Sequence, residues 1–168
     1  MIEIKVKDAA LREAAMQDMD AFLGVFIGAI KQAIGGELTF DSMQQLNASQ
    51  ITLLAYDILH EEVMDGGFVQ LIYNGYGGFI FDNPFAKVMR DWGLRDLAKM
   101  LFAVKKLYKE NANKIQVECT DEEFMALFEK FPEFDDYDDE FVENEERWTS
   151  QMAQYVDEHI SDFVIIEE

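Results

Sequence analysis

The stretch DAALREAAMQDMDAFLGVFIGAIKQAIGG, residues 8–36, decides the fold class. Its apolar side chains recur at steps of three or four residues, which places them on one side of an α-helix. They are Leu11, Ala15, Met19, Phe22, Phe26, Ile30 and Ile34. The spacing predicts one helix that begins at Asp8 and ends at Gly35-Gly36. Its second half is apolar almost all round, which is typical of a central helix or of one that contacts a second subunit.

Three further helices are predicted in the middle of the chain. The first is capped by Asn47 or Ser49 and stopped by Gly66-Gly67. The second opens at Asn83-Pro84, with the asparagine as N-cap and the proline as first helical residue, and ends before Gly93. The third covers about residues 94–110 and carries most of the chain's positive charge opposite its apolar side.

Two more helices are predicted near the C-terminal end. One follows the capping-box sequence of Thr120 to Glu123 and ends at Pro132. The other follows the acidic run of residues 135–140. Its apolar stripe consists of Phe141, Trp148, Met152, Tyr155 and His159.

The first seven residues differ from the rest, because Ile2, Ile4 and Val6 alternate with charged or polar side chains. This pattern predicts a short strand or an extended arm, and a partner strand in another molecule is an open alternative. No repeat, linker or Ser/Pro-rich stretch marks a domain boundary. We therefore expect an all-α fold, a single compact multi-helix domain over residues 1–168, with residues 1–7 as an optional extended arm.

Charge is distributed very unevenly along the chain, whose formal net charge is −20. The near-neutral helical part, residues 8–117 together with the arm, holds 15 acidic and 12 basic residues, a net of −3. Residues 118–168 hold 19 acidic and 2 basic residues, a net of −17. Phe131, Phe134 and Tyr137 are interleaved with these acids, so we expect a folded acidic surface and not a mobile tail.

Several functional classes lack their usual signals. There is no phosphate-binding glycine loop, no nucleophile elbow and no dinucleotide fingerprint, so we expect no catalytic residue and no cofactor. Asp57, His60 and Glu61 could form half of a carboxylate-bridged metal site, but its second half is missing, and we expect no metal. The one cysteine, Cys119, has no thiol partner, and a reducing cytoplasm is the expected compartment.

The segment Glu62 to Gln70, EVMDGGFVQ, followed by Tyr73 to Gly77, YNGYG, resembles the signature of the bacterial DNA-mimic protein (DMP) domain family. The likeness extends over roughly residues 45–163 and includes the acidic, aromatic C-terminal segment. One departure is Gly93-Leu94, where the family tends to have Gly-Ala. The signature residues are Gly66, Gly67, Phe68, Gln70, Asn74 and Gly75. We assign the glycines a backbone role, with a ligand pocket beside Phe68 as the alternative.

The resemblance implies an all-helical homodimer and, for the characterised member, carboxylates that occupy the DNA-binding surface of a helix-turn-helix repressor. Helical spacing supports such a role here, since carboxylates three or four residues apart lie on one face. The expected partner-binding residues are Asp135, Asp136, Asp138, Asp139, Glu140, Glu143, Glu146 and Asp157.

The sequence thus predicts a noncatalytic acidic interaction protein that binds a basic DNA-binding protein, without direct binding of nucleic acid and without membrane insertion. Three alternatives stay open. The first is an acidic inhibitor or immunity-type protein against a basic toxin or nuclease. The second is a ligand-binding or enzymatic domain with a pocket near the Gly-Gly-Phe segment. The third is that acidity only maintains solubility.

Overall fold

The computed structural model describes all 168 residues, Met1–Glu168. Nine α-helices and a two-stranded sheet confirm the all-α fold expected from the sequence. In chain order the helices are α1 (Asp8–Gln17), α2 (Met19–Ala33), α3 (Phe40–Met43), α4 (Ala48–Tyr73), α5 (Gly77–Phe81), α6 (Phe85–Asp91), α7 (Arg95–Ile115), α8 (Asp121–Lys130) and α9 (Asp135–Glu158). The strands are β1 (Lys5–Lys7) and β2 (Ile165–Glu167), and 3-10 turns occur at Pro132–Phe134 and Ile160–Asp162. Every helix is too short or too polar to span a membrane.

The prediction of one helix from residue 8 to residue 34 is wrong at Asp18, where the backbone is extended. The Asp18 carboxylate accepts a hydrogen bond from the Ala21 N–H at 2.7 Å, so it caps a new helix. Asp8, the expected N-cap, is instead the first residue of α1 and bonds Arg12 one turn later. Periodicity did not reveal the break because the apolar stripe continues across it.

One compact unit consists of residues 1–57 and 147–168. In this unit β1 pairs in parallel with β2, which places Val6 opposite Ile166. The extended segment predicted at the N-terminus therefore has its partner within the same chain. The fully buried Phe26 contacts Phe163 edge-on at 6.3 Å, and the Gln50 side chain donates to the Phe163 carbonyl at 2.7 Å.

A second compact unit consists of residues 58–146. Here α5, α6 and α7 pack against one another, and Gly93 ends the turn after α6 with φ +95°. Asn83 does not cap α6, contrary to the prediction: Pro84 is the N-cap, and the Asn83 amide donates to the Phe79 carbonyl of α5 at 2.9 Å. That one folding domain spans residues 1–168 stays a prediction.

Helix α4 bends sharply at the two glycines that were expected to stop it. Gly66 has φ −149° and ψ 18°, and Gly67 has φ 73° and ψ −176°, so neither is helical. The helix nevertheless resumes at Phe68 and continues to Tyr73. The prediction of a helix end was therefore wrong, although the backbone break at these residues is real.

Candidate functional site: an acidic helix face

Helix α9 begins at Asp135, the first residue of the acidic run, and not after the run. Pro132 opens the preceding 3-10 turn, and Asp135, Asp136 and Asp138 occupy the first turn of α9. Carboxylates are stabilised there by the positive end of the helix dipole. The acidic run is thus the N-terminal part of the helix, and the helical row of acids begins earlier than the sequence predicted.

Six of the predicted partner-binding carboxylates lie exposed on this part of α9, and we call them the acidic band. They are Asp135, Asp136, Asp139, Glu140, Glu143 and Glu146. No Lys, Arg or His side chain forms an ion pair with any of them. Their charges are therefore available to a cationic partner.

The spacing of the acidic band can be compared with that of DNA. Residues 135 to 146 of α9 span about 16.5 Å at about 1.5 Å per residue, so six charges are on average about 3.3 Å apart along the axis. A single strand of duplex DNA carries one phosphate per about 3.4 Å. The linear charge density of the band thus matches that of one DNA strand.

Asp138 differs from the band, because its side chain is partly buried. Its Oδ1 accepts a hydrogen bond from the Phe68 N–H at 2.8 Å, so it caps the part of α4 that resumes after the bend. The pKa of Asp138 is raised to about 6, mainly by burial; the Phe68 bond lowers it, and the nearby Asp135 and Asp139 contribute to the rise. Asp138 fastens α9 to α4 and is not part of the free row of charges.

The two glycines at the bend are each required by a neighbouring side chain. A Cβ on Gly67 would lie 2.4 Å from Oδ2 of Asp138, and a Cβ on Gly66 would lie 2.0 Å from Oε1 of Gln70. The Gln70 amide in turn donates to Glu62 and Asp65, each at 2.9 Å. Gly67 and Phe68 of the resemblance signature thus form a packed junction between α4 and α9 with Asp138, whereas Gly66 and Gln70 make their contacts within α4.

Asn74 and Gly75 act within and just after α4, and Phe68 packs at the junction. The Asn74 amide donates to the Glu62 carboxylate at 2.9 Å, and Gly75 has φ +89° after the end of α4. Phe68 is completely buried, with its ring 6.3 Å from Phe141 and 6.4 Å from Phe81. The Phe68 side chain is therefore part of the packed core of this unit.

Aromatic packing holds the band in place. Phe134 and Phe141 are completely buried on the inner side of α9. Next to them, Glu145 bonds His60 Nε2 at 2.8 Å, and the His60 ring lies 6.2 Å from that of Phe141. A helix fixed at several points along its inner face presents its outer carboxylates as a rigid row.

The helical spacing of α9 could have distinguished the carboxylates that face the core from those that face solvent. Phe134, Asp138, Phe141, Glu145 and Trp148 follow one another at steps of three or four. Asp138 and Glu145 therefore share a stripe with completely buried aromatics. The contact of Glu145 with His60 was not predicted, because the two residues lie 85 positions apart in the sequence.

Asp157 is exposed but belongs to the other compact unit. It lines an open recess of about 400 Å³ in that unit. The other lining residues are Ala15, Met19, Phe22, Ser150, Ala153 and Gln154. Because it lies in the other compact unit, Asp157 is not part of the acidic band.

The other chemically active residues have structural partners. Asp57 forms an ion pair with Lys31 at 2.6 Å, and no group of three or more His, Cys, Asp or Glu side chains converges on one point. His159 stacks on Tyr155 at 4.0 Å between ring centroids. The Cys119 thiol donates to the Tyr73 hydroxyl at 3.4 Å. Asp57, His159 and Cys119 thus each contact another side chain of the protein.

The fold and its row of exposed carboxylates define a helical protein with one strongly acidic helix face. The family model described as DMP19-like protein matches residues 44–159, which include both the junction and the acidic band. The chain belongs to this family, as its resemblance to DNA-mimic proteins predicted. It is 33% identical over 127 residues, 75% of this chain and 77% of the relative, to the DNA mimic protein DMP19 of Neisseria meningitidis serogroup B (strain ATCC BAA-335 / MC58).

Proposed function

We propose that the protein is a noncatalytic DNA mimic whose acidic band binds the basic, DNA-binding surface of a DNA-binding regulator of the helix-turn-helix type. The observation that carries the proposal is the band itself: six exposed carboxylates, none in an ion pair, at about the axial spacing of phosphates in one DNA strand. Lysines and arginines that engage phosphates can engage these carboxylates with the same charge-assisted hydrogen bonds.

Rigidity is the second requirement, and the junction supports it. A flexible acidic chain would lose conformational entropy on binding, whereas a helix fixed by Phe134, Phe141 and the Asp138 cap is already ordered. The net charge of −20 adds long-range attraction toward a basic partner and speeds encounter. It also repels phosphate, so direct binding of nucleic acid is not part of the proposal.

The proposal extends to the cytoplasm as the place of action and to a homodimer as a second state of the protein. A regulator occupied by the acidic band cannot hold DNA with the same cationic side chains, so its sites on DNA become free. The protein needs no catalytic group for this effect, because occupancy of the basic surface is sufficient.

The test is capture of basic DNA-binding proteins from the native cytosol on immobilised protein, followed by elution with short duplex DNA. A triple variant, Asp139→Asn, Glu143→Gln and Glu146→Gln, should weaken capture by about 3- to 150-fold, since an exposed charge pair contributes about 0.2 to 1 kcal/mol and three pairs are removed. The matched control neutralises three exposed acids outside the band. It carries Glu13→Gln, Glu37→Gln and Glu129→Gln and should retain capture.

Two outcomes would contradict the proposal. Equal loss in both triple variants would mean that bulk charge, and not the band, attracts partners. Captured proteins that duplex DNA does not displace would mean that the band does not occupy a DNA-binding surface. Capture of a basic toxin, insensitive to DNA, would favour the inhibitor alternative.

A further inference from the structure

The second compact unit carries a basic groove between α6 and α7. Two adjoining recesses, of about 610 and 460 Å³, share Arg90 and the exposed Phe102 among their lining residues. We define the basic groove by its cationic side chains and this phenylalanine. Its members are Lys87, Arg90, Arg95, Lys99, Phe102 and Lys105.

The positive charge of the groove is largely unmatched. Its two lining acids already have partners, since Asp91 bonds Lys87 at 3.2 Å and Asp82 bonds Lys109. Arg95, Lys99 and Lys105 form no ion pair. A partner with carboxylates would meet cations that are free to bind it.

The groove is the exception on an acidic molecule. Residues 80–109 hold 7 of the 14 Lys and Arg residues and only 3 acids, a net of +4. The rest of the chain therefore carries a net of −24. When two copies approach each other, contacts that avoid this basic segment are opposed on balance by the negative charge that the rest of each chain carries.

The acidic band carries the charge and an exposed apolar side chain that suit this groove. Val142 is 52% exposed and lies within one helical turn of Asp139, Glu143 and Glu146. Phe102 is 46% exposed and lies within one turn of Lys99 and Lys105. Each surface thus combines an exposed apolar side chain with neighbouring charges, and the charges are of opposite sign.

We propose that the basic groove binds the acidic band of a second copy of this chain, with Phe102 against Val142. This inference rests on the proposed homodimer and names its contact surfaces. An acidic band that lies in the groove of another copy cannot bind the regulator at the same time. Self-association and regulator binding then compete, and dilution of the protein favours the regulator.

The experiment is sedimentation velocity over a concentration series. Arg95→Glu with Lys99→Glu should weaken self-association by roughly tenfold or more, because like charges then face each other across the contact. Lys114→Glu with Lys130→Glu gives the same net charge of −24, obtained from −20 by two reversals, and should associate like the parent protein. Circular dichroism and thermal unfolding verify that each variant is folded.

A charge swap tests the pairing directly. The fourfold variant Arg95→Glu, Lys99→Glu, Asp139→Lys and Glu143→Lys has the parent's net charge of −20 and should regain self-association, because an acidic groove then meets a basic band. A folded fourfold variant that stays as weakly associated as the groove variant would overturn the pairing.

The remaining outcomes separate this inference from the homodimer proposal. A parent protein that is monomeric at every concentration would refute the homodimer itself. A groove variant that associates as strongly as the Lys114/Lys130 control would refute only the groove assignment. Binding of labelled duplex DNA by the parent protein that is lost in the groove variant would assign the groove to nucleic acid and overturn the inference.

Discussion

Replacing Asp138 by asparagine should remove a pH dependence of stability that the wild-type protein carries. Burial raises the pKa of Asp138 from its ordinary 3.8 to about 6 in the folded state. Between these values the folded protein binds more protons at this carboxyl than the unfolded chain does. The stabilising contribution is therefore fully present below about pH 4 and is lost as the pH rises through about 6.

The size of the effect follows from the pKa difference. A shift of about two units corresponds to about 3 kcal/mol, at 1.36 kcal/mol per unit. Water reaches part of the Asp138 side chain and screens it, so about 2 kcal/mol is the expected total. About half of this change falls between pH 5 and pH 7.5, a range that avoids the sequence pI of about 4.2.

The assay is urea unfolding of the wild type and Asp138→Asn at several pH values, followed by tryptophan fluorescence. The asparagine Oδ1 can still accept the Phe68 N–H bond but does not titrate, so the wild type should lose about 1 kcal/mol relative to the variant from pH 5 to pH 7.5. Asp139→Asn removes the same charge from the exposed face and is the matched control. A wild-type protein that instead gains stability relative to Asp138→Asn as the pH rises would refute the reasoning.

Two further substitutions test the junction between α4 and α9 and the buried Phe141. Gly67→Ala should lower the free energy of unfolding by about 1 to 3 kcal/mol, as measured by urea titration. The φ of +73° at this position strains any residue with a side chain, and the new Cβ would meet Asp138. Gly28→Ala is the control, because a Cβ at Gly28 meets nothing within 4 Å. This substitution should be neutral or should stabilise the protein by up to about 1 kcal/mol. Equal destabilisation by both substitutions would contradict the explanation. Phe141→Ala should cost about 3 to 5 kcal/mol and should increase hydrogen exchange at the start of α9 before the rest of that compact unit. Unchanged exchange there would mean that Phe141 does not hold the band.

The helices were predictable where local signals agree. Thr120 accepts a hydrogen bond from the Glu123 N–H at 3.2 Å, as the capping sequence predicted, and α8 ends before Pro132. Asp18 was missed because an aspartate inside an apolar stripe can either face solvent or cap a new helix, and spacing alone does not distinguish the two. The β1–β2 pairing was not predictable either, since it joins segments about 160 residues apart and each strand has only three residues.

The sequence predicted most of the residues that form the candidate site, but not the direction in which each side chain faces. The acidic run and its aromatic residues indicated a folded surface, and six of the eight expected carboxylates lie together and exposed. Asp138 faces inward because the bend of α4 leaves the Phe68 N–H without a helical partner, and this need arises from a distant part of the chain. The basic residues of α7 were visible in the sequence, but the groove that they form with α6 requires the packed helices.

The acidic band can exist only because its helix is fixed from the inner side. The six carboxylates form six neighbouring pairs at helical spacings of three or four residues, and such pairs together oppose helix formation by about 1 to 3 kcal/mol. Burial of Phe134 and Phe141 contributes about 2 to 3 kcal/mol each, which exceeds this repulsion. A partner cation that binds the band also removes part of the repulsion. Occupancy of the band by either proposed partner should therefore raise the unfolding temperature of α9 more than that of helices outside the contact.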